Sequence, residues 1–375
     1  MFQEPGKNNF KTKVFFSQKN SITINLKQLQ ELITLLIKKG WLMKKYIIII
    51  ISLVFIVSCG NVQNVNLTLK KSHSKVLDDQ YAATRGMILL NKIDDNLIWF
   101  SRKGWALVLD KNFNVLDKIK LSQGKGPEEY INLTEMFILK DNLVYLYDHR
   151  LSRFVVLKYK DEKLKKYDTI NLNFSSALGM EYRNGIFAVN NFKSEGKNIN
   201  AKLSFIDRDL NLLKDITIAD FKMSSRKDLM NKVGWPIFHK NRVYYVSIGD
   251  GNTRVFNYKT QKEINSFYNK DKKMKIIYDH QDANVITPTI IKDKYVFIPY
   301  NPHTDKDLKT PGMYYELFDL EGNFVGDGFI KFGLKKIPEN LMEKYTINIS
   351  RNGLYFYNKE TNNFTKFDYV INKNN

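Results

Sequence analysis

Cysteine is almost absent. Cys59 is the only one in 375 residues, which excludes an intramolecular disulfide and a thiolate metal site. Histidine is sparse as well: His73, His149, His239, His280 and His303 lie far apart, with neither H-x-x-x-H nor H-E-x-x-H spacing. G-x-S-x-G, a phosphate-binding loop and a dinucleotide fingerprint are all missing. Arginine supplies only 10 of the 59 cationic side chains, and the basic residues are scattered without clusters. Phosphate and base recognition favour arginine forks, so the net charge of +20 does not by itself point to nucleic acid. The richness in Lys, Asn, Ile, Tyr and Phe is what an AT-rich genome produces, and polyanion binding is the minor reading. No apolar run reaches the about 20 residues that a spanning helix needs.

The longest such run is Tyr46 to Val57, twelve residues broken only by Ser52 and preceded by Lys44 and Lys45. A positive pair ahead of a short apolar core is the layout of a cleaved export signal. The run ends in Ile56-Val57-Ser58-Cys59, which resembles the lipobox of bacterial lipoproteins. That resemblance implies cleavage before Cys59 and acylation of its thiol and its new amino group. Several acyl chains give lasting anchorage where one does not. The alternative is an uncleaved anchor or a buried apolar strand. A signal normally begins a chain, so residues 1–42 are expected to be an upstream extension, with translation starting at Met43. A cytoplasmic tail, or a short helix over Ile22 to Ile37, is the other reading. The first 58 residues hold nine lysines and two acids, which leaves +13 on residues 59–375. The expected organisation is 1–42 upstream extension, 43–58 signal peptide, 59–74 lipid-anchored linker and closing strand, and 75–375 folded domain.

The folded part shows a repeat. Asp or Asn, one further residue and an apolar strand recur at Asp95-Asn96, Asp141-Asn142, Asn184-Gly185, Asn241-Arg242, Asp293-Lys294 and Asn352-Gly353, in steps of 46, 43, 57, 52 and 59. Asn, Asp and Gly tolerate positive φ, so each copy reads as a tight hairpin turn between two strands. A second hairpin comes after it, as in ALVLDKNFNVLDKI, LSFIDRDLNLLKDI and ELFDLEGNFVGDG. Four strands per unit, mostly apolar instead of strictly alternating, describe the blades of a six-bladed β-propeller. Two β-sandwiches are the rival all-β arrangement. Single short helices are predicted near Asp228 and Pro338. The sixth copy stops after its third strand, so the alternating Val62 to Leu69 segment is expected to supply the fourth and close the ring.

The segment LSQGKGPEEY, Leu121 to Tyr130, with YDHRLSRFVVL downstream of it, resembles a turn of the six-bladed propeller lipoproteins common in Bacteroidetes, themselves loosely similar to NHL and TolB-type propellers. Gly124, Gly126, Pro127, Glu129 and Tyr130 match the pattern, and the likeness covers roughly residues 75 to 371. It implies the fold and an envelope location, with no settled common activity. The glycines permit a sharp turn that the proline stiffens. A backbone nest holding an anion at Gly124 to Gly126 is the functional alternative.

Catalytic signals are thin. Asp148, His149, Asn190, Asp250 and His303 end or follow second strands and are expected to line one axial mouth as ligand-binding residues. Trp99, Trp105 and Trp235 are candidates for stacking on sugars, with Trp99 better placed in the core. The expected function is therefore a membrane-anchored, non-enzymatic binding module for a glycan, a peptide or an envelope protein, with no cofactor. The alternatives are a calcium-dependent hydrolase of lactonase type with an axial site, or a purely structural subunit of an envelope complex. Gly60, Asn61, Val62 and Gln63 carry no acid of the kind that marks surface export in Bacteroidetes lipoproteins, which favours an outer-membrane anchor facing the periplasm.

Overall fold

The computed structural model describes residues 65–78, 81, 89–101, 104–139, 142–173, 179–225, 229–249, 251–268, 285–300, 303–305, 310–331 and 345–373. The export signal, Cys59, Asp250 and the helix expected near Pro338 lie outside them. Of the helix expected near Asp228, a helical pair at Leu229 and Met230 falls within them.

Six antiparallel sheets succeed one another along the chain. Blade one comprises β2 (Leu89–Ile93), β3 (Asn96–Phe100), β4 (Trp105–Leu109) and β5 (Val115–Lys120), and is preceded in the chain by β1 (Val65–Val76). Blade two holds β6 (Leu133–Ile138), β7 (Leu143–Asp148), β8 (Arg153–Lys160) and β9 (Lys163–Asn171). Blade three holds β10 (Met180–Arg183), β11 (Ile186–Glu195), β12 (Asn198–Asp207) and β13 (Leu212–Lys222). Blade four holds β14 (Gly234–His239), β15 (Arg242–Ser247), β16 (Thr253–Asn257) and β17 (Lys262–Phe267). Blade five adds a short fifth strand: β18 (Thr289–Ile291), β19 (Tyr295–Pro299) and β21 (Thr310–Asp319) run in order, and both β20 (His303–Asp305) and β22 (Phe324–Lys331) pair with β21. Blade six is β23 (Tyr345–Ser350), β24 (Gly353–Asn358), β25 (Asn363–Lys373) and β1.

The first strands of successive blades touch one another around the ring, with β2 against both β6 and β23. The fold is thus a six-bladed propeller of four-stranded antiparallel blades, with an extra strand in blade five.

Local chemistry explains both hairpins of each blade. The first turns sit where Asp and Asn recur, with positive φ at Asp94, Asn142, Asn184 and Asp293. In blades one, four and six the turn lies one residue earlier than the sequence pattern suggested. Asn96, Arg242 and Gly353 are already paired, to Ile93, His239 and Ser350. The second hairpins of blades one, three and five share an Asp-x-x-x-Asn device. Asp110 Oδ1 accepts from the amides of Asn112 and Asn114, both at 2.8 Å, while its Oδ2 accepts from the Asn114 side chain at 2.7 Å. Asp207 with Asn211 and Asp319 with Asn323 repeat the arrangement in blades three and five. The carboxylate supplies acceptors that the turning backbone lacks.

The core is divided among the blade interfaces. Ile98, Val108, Leu146 and Leu157 fill the space between blades one and two. Phe154, Phe187 and Val189 fill the next interface, and Phe205, Phe238 and Tyr245 the one after. Tyr244, Ile298 and Phe318 join blades four and five, Phe297 and Tyr369 join five and six, and Trp99, Tyr357 and Phe364 join six and one. Each central strand therefore buries both faces, which is why β19 is buried along its whole length while β17, outermost in its blade, is exposed at all but its last residue.

The ring is closed by β1, which pairs with β25 from Val65↔Lys373 to Val76↔Asn363. The Val65, Leu67, Leu69 alternation falls on it, and the strand runs on well past Leu69, so His73 belongs to the sheet and packs edge-on against Phe113. Blade five holds the seam from the other side. The Tyr315 hydroxyl accepts from the Leu67 amide at 2.9 Å and faces the Leu67 carbonyl and Asn66 Oδ1 at 3.3 and 3.1 Å. A side chain on Gly326 would meet the Val65 carbonyl oxygen at 2.2 Å, so only glycine lets β22 lie this close to β1. Tyr315→Phe orphans a buried amide and is expected to lower unfolding free energy by about 1–2 kcal/mol, read as a shift in the urea midpoint. An unchanged midpoint would separate the hydroxyl from closure.

Candidate functional site

Two of the expected mouth residues have other partners. Asp148, the last residue of β7, is fully buried. Its carboxylate accepts from the amides of Ile131 (2.7 Å), Asn132 (3.3 Å), Arg150 (3.0 Å) and Leu151 (3.2 Å), tying the loop that leads into blade two to the turn that leaves β7. Asn190 in β11 is also buried, and its Oδ1 accepts from the Tyr245 hydroxyl at 3.1 Å, joining blades three and four. His149 is half-buried beside Tyr147, and its amide donates to Asn132. Asp250 and the His303 side chain lie outside the described residues. Trp99 is buried between blades six and one, and Trp105 carries the ammonium groups of Lys118 and Lys120 on its ring.

The Gly124–Tyr130 turn is self-contained. Glu129 folds back so that its carboxylate accepts from the Gly126 amide at 2.7 Å, and the Gly124 amide donates to the Tyr130 carbonyl. A Cβ on Gly124 would lie 2.0 Å from the Glu129 carboxylate, which explains the glycine. The buried Arg153 guanidinium binds the carbonyls of Gly126 and Glu129, and the Tyr130 ring packs edge-on against Phe100. The anion at this backbone is the chain's own Glu129.

Among the described residues a concave site lies on the axis. All six blades contribute to a channel of about 520 Å³, with Lys92 from β2, Glu135 from β6, Glu181 and Arg183 from β10, Trp235 from β14, Thr289 from β18 and Ile349 from β23 among its lining residues. Arg351, in the first turn of blade six, also faces it. Along β10 the order from the turn inwards is Arg183 and then Glu181, two residues deeper. Two guanidinium groups therefore stand at the end of the ring where the first hairpins turn, with the carboxyl groups further in.

One peptide unit organises this cluster. The Phe238 amide donates to Glu181 Oε2 at 2.5 Å, and the Phe238 carbonyl accepts from Arg183 Nη1 at 3.1 Å and from Arg351 Nη2. Arg351 Nη2 also reaches Glu181 Oε1 at 3.1 Å. Burial pushes the Glu181 carboxyl up to about 6, against the charge of Arg351 and the Phe238 amide, which favour the ionised form. Glu135 has no such help: burial and the neighbouring Glu181 charge push it up to about 8. Glu135 thus keeps its proton to higher pH than Glu181, and the basic side chains of Arg183, Arg351 and Lys92 share the channel with them. Beyond Phe238, His239 is 3 % exposed, and burial followed by the Arg351 charge holds its pKa below the usual value. Among the described residues no three His, Cys, Asp or Glu side chains converge as a metal site would require.

Of these channel groups Trp235 was singled out by sequence, as a candidate for stacking on sugars, and the charged ones were not. The available signal was a lone acid inside an otherwise strand-like segment, LTEMFI or MEYR, where a charge in a buried first strand needs a reason.

A family model described as "6-bladed beta-propeller" matches residues 88–273, which span blades one to four. A solved protein from Bacteroides vulgatus, from a family of unknown function, superposes with a TM-score of 0.53 at 9% identity, covering 84% of this chain and 100% of its own. A Bacteroides fragilis protein, provisionally described as exported, gives 0.51 at 13% identity, covering 83% of this chain and 96% of its own. No protein of curated function matches the sequence. At these identities the superpositions speak to fold alone.

Proposed function

We propose, from the premise that this chain is a six-bladed β-propeller of the kind those Bacteroides proteins share, that it is a lipid-anchored envelope protein whose ring binds a ligand without transforming it. The observation that carries the binding reading is the axial channel. Its volume of about 520 Å³ lies in the range of small-molecule sites, and charged groups from separate blades converge on it. The chemistry also favours binding over turnover. Glu181 is held by Arg351 and the Phe238 amide, so it is not poised as a free base. The lipobox-like Ile56 to Cys59 supports the anchor, and the likeness to a protein described as exported agrees with an envelope location. A glycan, a peptide or the exposed part of an envelope protein remains the class of partner, and the lack of acids just after Cys59 favours the periplasmic face.

Two measurements test this. Cys59→Ser should move the protein from the detergent phase to the aqueous phase in a cloud-point partition, and retention in detergent would remove the anchor. A screen of envelope glycans and peptides by thermal shift should find a stabilising ligand whose effect is lost in Arg351→Gln. Stoichiometric calcium in the purified protein, lost on Asp250→Asn, would instead support the hydrolase reading.

A further inference from the structure

Arg183 and Arg351 each use a single guanidinium nitrogen. Arg183 donates through Nη1 to the Phe238 carbonyl, and Arg351 donates through Nη2 to that carbonyl and to Glu181. Nε and the second Nη of both side chains have no partner among the described residues, although both residues line the channel. Two guanidinium groups sharing one carbonyl repel each other, and the carboxylates of Glu181, bonded to Arg351, and Asp293, which acts on Arg183, offset that repulsion only in part. A like-charged pair in a concave place is relieved by an anion, and arginine's fork suits a bidentate oxyanion.

We propose that this end of the channel is an oxyanion site, in which Arg183 and Arg351 hold the carboxylate or phosphate of a small ligand whose body occupies the axial channel. The proposal rests on the channel being the binding site and adds the chemical class of its ligand. The surrounding charges are mixed but predominantly positive. Lys92 adds a third cation on the adjoining first strand, paired with Asp95 at 3.7 Å, and Asp293, which acts on Arg183, lies 3.8 Å from His239. The deeper Glu135 keeps its proton to higher pH than Glu181. An anion beside Glu181 favours its protonated form, so binding is coupled to proton uptake and weakens as pH rises through about 6.

The test is calorimetric titration of the full chain with glucuronate, glucose 6-phosphate and glucose, which share a ring and differ in charge. The two anions should bind at least about tenfold more tightly than glucose, and Arg183→Gln should cost them about tenfold or more without affecting glucose. Trp235, which lines the channel, should report binding by its fluorescence. Preference for one anion over the other identifies the oxyanion as carboxylate or phosphate. Arg183→Lys, which keeps the charge but loses the fork, should recover only part of the affinity and guards against a folding defect in the glutamine variant. Equal binding of glucose with a Trp235 response would keep the channel as a binding site and overturn the oxyanion. Anion binding that ignores Arg183→Gln and leaves Trp235 unchanged overturns it too, as does the absence of binding by all three.

Discussion

Replacing Glu135 with glutamine raises the melting temperature of the propeller at about pH 9 and leaves it almost unchanged at about pH 4. The carboxyl of Glu135 titrates at about 8 in the folded ring and near its ordinary value of 4.5 in the unfolded chain. Between those values the folded state keeps a proton that the unfolded state has released, so stability falls as pH rises through the window. The contribution is fully present below about 4.5 and lost as pH passes about 8. Glutamine mimics the protonated acid at every pH and removes the loss. Full linkage at 1.36 kcal/mol per unit sets an upper bound of roughly 5 kcal/mol. Glu135 keeps partial access to water in the channel, so about 2 kcal/mol, or roughly 5 °C, is the expected gain. Calorimetry at both pH values checks it. An equal shift at the two would mean that packing, and not the charge, is responsible.

Deleting residues 65–76 should have the larger effect. It strips the outer strand from blade six, exposes the edge of β25, and empties the places that Val65 and Leu67 fill beside Tyr315, Phe297 and Tyr369. Fully burying a single aliphatic side chain is worth about 1.5–3 kcal/mol, and the lost strand hydrogen bonds add to this, so the deficit reaches roughly 5 kcal/mol or more. Melting should shift down by more than about 10 °C or lose its cooperativity. A synthetic peptide covering residues 65–76, added in trans, should restore part of the transition. That rescue separates loss of closure from general misfolding, and an unaltered melt of the deleted chain would show that the ring does not depend on β1.

The architecture was readable because its signals are local. A tight turn needs Asp, Asn or Gly within two residues, and six such turns at near-regular steps leave few alternatives to a propeller. The closing strand was readable from the Val65, Leu67, Leu69 alternation together with a sixth unit one strand short. The channel is different in kind. Glu135, Glu181, Arg183 and Arg351 come from three blades, and only closure of the ring sets them facing one another. Within its own strand each is one charge among apolar neighbours, with nothing to mark the partner. Asp148 shows the converse. An acid at a strand end is the right type for a ligand, but four amides from two loops reach it first, and no local pattern announces where those amides will be. Glu129 answers the Gly126 amide in the same way.

The seam also joins the two ends of the propeller. Thr68 and Val370, bonded across it, are 302 positions apart, so β1 precedes by almost the whole propeller the strand it will pair with. Until the two meet it is an unpaired strand carrying Val65, Leu67 and Leu69 on one side. Lys70, Lys71 and Lys75 come directly after them on the same strand. Positive charge beside an apolar strand discourages pairing with other unfolded chains. These lysines therefore act as a guard on a strand whose partner lies at the far end of the propeller.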